Sequence, residues 1–358
     1  MKAKAFRPVT TTNALNLFRA GAGLEPIFAF SNCGAFDPAT RQILFIGAPH
    51  GVSMRFVAYR ESDNNWRTEP MPSGDWGGAH TYDHLTIDRD GIFYHLYWAD
   101  GVAYRFNPKT NAWLSPLPKT NSGFGTFDYF PELNGLVRAV AGSVTLYDFS
   151  TQAWRTIGTG LAMSGLHSLA SYSRVHKVLI FGGGDGSRDW HKLDASGKIT
   201  TMKNAPFDIG ISSGILACDP VTGDFLFLNR DSLYAFDLAG ETWKGVVKNP
   251  YNAPDFTSHY VVGVTMDTLG VVAFLSTYTW PVLLYKHADK PAAIEKGFPR
   301  LNSAAQSAPS VVYNIRGRIV ARLGAEMAWN KAGVPAGVYM AVSGSGRNVY
   351  LQKLVVVK

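Results

Sequence analysis

Residues 104–113 read YRFNPKTNAW, and three other stretches close in the same way: AYRESDNNW (58–66), YDFSTQAW (147–154) and AFDLAGETW (235–243). Their tryptophans, Trp66, Trp113, Trp154 and Trp243, are 47, 41 and 89 residues apart, the last interval close to two of the others. The unit without its own copy is FGGGDGSRDWHKLDASGKIT (181–200), where His191–Asp194 replace the Tyr-x-Phe phrase, and a sixth unit ends near VLLYKHAD (282–289). In each unit an apolar run leads into an acidic turn, as in AFDPATRQ at Asp37, TIDRDG at Asp88, ACDPVTGD at Asp219 and TMDTLG at Asp267. A second apolar run follows, such as ILFIG (43–47) or FLFLN (225–229), then a third carrying Tyr and a fourth carrying Trp. Short strands punctuated by Gly, Pro and Asp indicate an all-β sandwich, barrel or propeller. Four strands per period in the forties select the propeller. A single four-stranded sheet cannot cover both its faces, whereas radial packing covers them and leaves only short edges.

The expected architecture is therefore all-β, with about six four-stranded blades across residues 27–296. Residues 1–26 form an N-terminal segment, in which NALNLFRAGAG (13–23) is the candidate ring-closing strand. After Pro299 the acidic-turn and Trp phrases stop, and residues 300–358 are expected to form a small β-sandwich.

Composition agrees. The chain has 358 residues, of which 17% are charged and 13% aromatic, against a usual charged share of about 25%. That excludes a disordered chain or a coiled coil. No window approaches the ~18 consecutive apolar residues of a spanning helix, so no transmembrane segment is expected. The net charge of +7 favours acidic partners. The Lys and Arg residues are scattered singly and match no nucleic-acid module, so nucleic acid is not the expected partner. Cys33 and Cys218 fit no zinc or redox spacing. Both fall on innermost strands of non-neighbouring units, beyond the ~7 Å reach of a disulfide, and are expected to be free. No signal-peptide pattern follows Met1–Ala5.

On FGGGDG (181–186) and the recurring Tyr…Trp phrases, residues 27–296 resemble the kelch family of β-propellers. The tail elements YNIRGRIV (313–320), VPAGVYMAV (334–342) and QKLVVVK (352–358) resemble the C-terminal sorting domain of the Por (type IX) secretion pathway of certain bacteria. That resemblance implies a secreted or cell-surface bacterial protein whose last domain is read by secretion machinery.

Propellers bind ligands at one end of the ring, over the central channel, on loops that lead into the innermost strands or join second to third strands. Aligned on the acidic turns, His80, His167 and His259 each fall at the start of an innermost strand, from three different units. GGAHTYDH (77–84) adds Tyr82 and His84. The second-to-third-strand loops add His50, Trp98, Asp185, Arg188, Arg230 and Tyr278. Aromatic faces stack on sugar rings and Arg forks bind carboxylate or sulfate, so this set suits an acidic polysaccharide or oligosaccharide. Propeller polysaccharide lyases, such as the ulvan lyases, are similar in architecture and in placing His, Tyr and Arg at the channel mouth. On that likeness the candidate catalytic residues are His80, Tyr82, His167 and Arg188, with His50, His84, Trp98, Arg230, His259 and Tyr278 as substrate contacts. A divalent metal is a possible cofactor, with His80, His167 and His259 as its candidate ligands. The alternative is a non-catalytic kelch propeller that binds glycan or protein through the same face. The chain carries no Gly-x-Ser-x-Gly elbow, P-loop, His-Glu-x-x-His or dinucleotide fingerprint.

Overall fold

A computed structural model describes residues 1–19, 21, 24–32, 34–72, 76–77, 80–251 and 256–289, together with the backbone of four later strands. The chain divides into two compact units, Met1–Ala292 and Ala293–Lys358. In the second unit, Ser310–Asn314, Ile319–Leu323, Gly337–Ser345 and Asn348–Val356 form one four-stranded antiparallel sheet.

The first unit is a six-bladed β-propeller. Blade 1 comprises Ala35–Asp37, Gln42–Gly47, Arg55–Arg60 and Asn65–Glu69. Blades 2 to 5 repeat this order, with innermost strands at Leu85–Ile87, Thr126–Phe130, Leu169–Ser173 and Gly214–Cys218. In blade 6, Val261–Met266, Val271–Ser276 and Val282–Lys286 come from the end of the unit, and the outermost strand is Ala5–Pro8. Each innermost strand neighbours those of the adjacent blades, and the sixth neighbours the first, so the ring closes. Closure thus falls to Ala5–Pro8, paired antiparallel with Leu283–Lys286. The stretch 13–23 does not supply that strand, because Ala14–Phe18 is a short helix. Its periodicity is helical: Ala14 and Phe18, four residues apart, are its buried positions. Phe18 packs edge-on against Phe28 and Trp66.

The recurring residues have local causes. Asp37 accepts the Ala39 and Thr40 N–H groups, Asp88 those of Asp90 and Ile92, and Asp219 those of Val221 and Thr222. A carboxylate capping its own turn fixes the corner between first and second strands. The tryptophans staple neighbouring blades. Trp113 Nε1 donates to Pro70 O (2.7 Å) and Trp154 Nε1 to Pro118 O (2.8 Å), each acceptor lying just after the preceding blade's outermost strand. Trp66 Nε1 reaches Thr11 (3.0 Å), just after Ala5–Pro8, so the seam between blades 6 and 1 obeys the same rule. Blade 4 departs from it: Trp190 takes Lys203 O (2.8 Å), and Trp243 stacks on Trp190 instead.

Cys218 is a buried free thiol, with its pKa raised by burial. Cys33 lies outside the described residues. Among the described residues no helix is long and apolar enough to cross a membrane.

Candidate functional site

The segments leading into the innermost strands run side by side across one end of the ring. Ser31 bridges Tyr82, Asp83 bridges Thr126 and Phe124 bridges Leu166, all in parallel. Beneath this layer two buried side chains cross the channel. Asn32 exchanges hydrogen bonds with the Leu216 backbone in blade 5 and donates to Asp83 Oδ1 (3.1 Å), while Asp83 Oδ2 accepts the Ala170 N–H in blade 4. These bonds satisfy buried polar groups and tie four blades together. Asp83→Asn, which converts one of the two acceptors into a donor, is expected to cost about 1–3 kcal/mol, visible as a lower urea midpoint.

Above the clasp sits Phe30, which sequence reading does not single out. Its φ of 48° is left-handed, and its N–H is held by His259 O (2.9 Å). Ring centroids of His80, His167 and His259 lie 4.6, 4.8 and 4.3 Å from its own. The three histidines from three blades are therefore brought together, but around a phenyl ring. His167 and His259 stack on it nearly parallel, at 18° and 9°. The Phe30 ring stands among the three imidazoles, and among the described residues His80, His167 and His259 do not group at metal-ligand spacing.

His167 faces Asp185. Its Nδ1 is 2.7 Å from Asp185 Oδ1, and Ser212 Oγ donates to the same oxygen at 3.0 Å. The glycine run explains how Asp185 gets there. Gly183 and Gly184 have φ of 69° and 106°, and a Cβ at either would strike the Ile209 or Leu166 carbonyl. Only a glycine backbone threads this gap to place Asp185 over the strand start. With Nδ1–H directed at the carboxylate, His167 Nε2 carries the free lone pair. The Tyr82 ring centroid is 5.7 Å from that of His167, and burial raises the phenol to about 12, so it stays protonated at neutral pH.

A second group forms on the blade 1 side. His50 Nδ1 lies 3.0 Å from Glu25 Oε2, and His50 Nε2 lies 2.8 Å from His80 Nε2. His80 is 3% exposed. Burial, with His50 beside it, lowers its pKa to about 4, so its imidazole is neutral. Burial alone would raise the Glu25 pKa; hydrogen bonds from the His50 ring and backbone N–H outweigh it and hold the carboxyl below its usual range. Glu25 falls in the non-repeating N-terminal stretch, where no unit alignment could point to it.

The other expected residues are dispersed. His84 is fully buried, its Nε2 accepting from Arg138 (3.1 Å), and burial depresses its pKa strongly. Trp98 packs on Phe124 at 4.7 Å. Tyr278 spends its hydroxyl on the Thr257 backbone and packs against Tyr251 and Phe256. Arg230 is exposed on a blade 5 turn, and its carbonyl accepts from Asn249. Arg188 pairs with Asp208 (2.9 Å) on the wall of a cavity of about 560 Å³ that Asp185 also lines. No protein-family model matches this chain, and no curated protein matches it.

Proposed function

We propose that this face binds an acidic polysaccharide and cleaves it beside a uronate carboxylate by β-elimination. The observation that carries the reading is the Asp185–His167 pair with Tyr82 beside it. A carboxylate that fixes one imidazole tautomer and leaves the other nitrogen free makes a general base. In the reaction His167 Nε2 takes the proton α to the uronate carboxylate. The electron pair becomes a ring double bond as the glycosidic C–O bond breaks, and the Tyr82 hydroxyl gives its proton to the departing oxygen. Arg188 supplies the positive charge for the carboxylate. Its bond to Asp208 is exposed on both sides, so it is weak and exchangeable for a substrate carboxylate. His80 is set aside as base because it is buried and engaged by His50. His259 and His50 remain on the face as contacts for the polymer. The resemblance of residues 313–358 to a sorting domain puts this activity at the cell surface or beyond it, and that part of the reading rests on the sequence alone.

The test is a screen of uronate-containing polymers for ultraviolet absorbance of the unsaturated product, with binding to each polymer measured in parallel. Cleavage of at least one is expected. Binding without product would identify a non-catalytic glycan-binding propeller, and neither binding nor product would end the reading.

A further inference from the structure

We propose that Glu25, His50 and His80 bind a divalent transition-metal ion of the zinc class. One donor atom from each lies within 4.8 Å of the other two. Two imidazole nitrogens and one carboxylate oxygen form a donor set suited to zinc and its neighbours, not to magnesium or calcium, which take oxygen ligands.

Three features favour an ion over three ordinary surface contacts. The first is the His50–His80 pair. Two ring nitrogens stand 2.8 Å apart and a Glu25 oxygen lies 3.0 Å from the other nitrogen of His50, so metal-ligating groups from three separate segments already converge. In a tetrahedral site, nitrogens about 2.0–2.1 Å from zinc stand roughly 3.3 Å apart. The rings need to part by only about half an ångström for that geometry. His50, with 70% of its side chain exposed, is free to make that movement.

The second is the setting of His80, a side chain only 3% exposed whose Nε2 is turned to His50 and whose Nδ1 has no hydrogen-bond partner. An imidazole already held in place by burial presents Nε2 to an ion with little further loss of side-chain freedom. The third is room beside Glu25. Its Oε1 is 3.4 Å from the Tyr260 hydroxyl, and Glu25, Tyr260 and Arg19 line a cavity of about 520 Å³. Three protein ligands leave a coordination position for water or for an anionic oxygen, which Arg19 would favour electrostatically. The proposal stands apart from the lyase reading, since the ion binds whether or not a polymer is cleaved.

The test is calorimetric titration of the chelator-treated full chain with zinc chloride, alongside magnesium chloride. One zinc per chain and no competing magnesium uptake are expected. His50→Ala is the decisive variant because so exposed a side chain contributes little to folding. It should weaken zinc binding by more than about 100-fold, beyond the 10–100-fold typical of residues behind the ligands. Glu25→Gln should weaken it as well, while His176→Ala, at a histidine outside the cluster, should leave it unchanged. No saturable zinc binding, or binding that survives His50→Ala, would overturn the proposal.

Discussion

Deleting residues 1–10 is expected to lower the thermal midpoint sharply and to make the protein aggregate. The deletion removes Ala5–Pro8 and its ladder to Leu283–Lys286, and with it the Val9 N–H bond to Val282 O. It also removes Phe6, whose ring lies 4.8 Å from Tyr285 and 5.9 Å from Phe274. Ladder hydrogen bonds at about 0.5–1.5 kcal/mol each, with a similar increment for the aromatic contacts, sum to about 3–6 kcal/mol. A domain holds only about 5–15 kcal/mol in total. The exposed edge of Val282–Lys286 would then be open to pairing with other chains. Calorimetry and light scattering check both effects. An unchanged midpoint would mean that blade 6 is stable with three strands and that the ring needs no seam.

The second large effect concerns the candidate base. On a polymer that the parent cleaves, His167→Asn is expected to lower kcat about 10²–10⁴-fold, the usual worth of a positioned general base. Asparagine is the informative replacement because His167 has a φ of 60°. Asn tolerates that left-handed backbone where Ala is strained, so lost activity will not reflect lost fold. Asp185→Asn should also slow turnover, by releasing the imidazole from its tautomer. Full activity in His167→Asn would remove His167 from the mechanism.

The ring was legible because its repeat has one physical cause per position. An Asp that caps the first turn recurs in blades 1, 2 and 5, and a Trp that staples a blade to the preceding one recurs in blades 1, 2 and 3. The same logic located the strand starts, so His80, His167 and His259 do converge. Where repetition stops, sequence reading loses its footing. Glu25 belongs to the N-terminal segment, which occurs once and has nothing to align with, while Phe30 leads into the first innermost strand as His80 leads into the second but carries no chemistry that would single it out. The stretch 13–23 reads as a strand because a ring needs a closing strand, and two apolar positions four residues apart, Ala14 and Phe18, are too few to mark a helix in the sequence. Depth was also hidden. His84 is drawn inward by Arg138 and Tyr278 by the Thr257 backbone. Those partners come from elsewhere in the chain, and spacing carries no trace of them.

The seam has a mechanical side. Ala5 pairs with Lys286 and Pro8 with Leu283, and the Ala3 N–H reaches Asp289 Oδ1 at 3.1 Å. Both ends of the propeller therefore leave from the same end of one ladder. Tension between them would load the rungs singly, Ala5 first, instead of shearing all four at once. A pull on the two ends of the propeller opens it like a zipper, whereas a pull applied across the blades meets the whole ring.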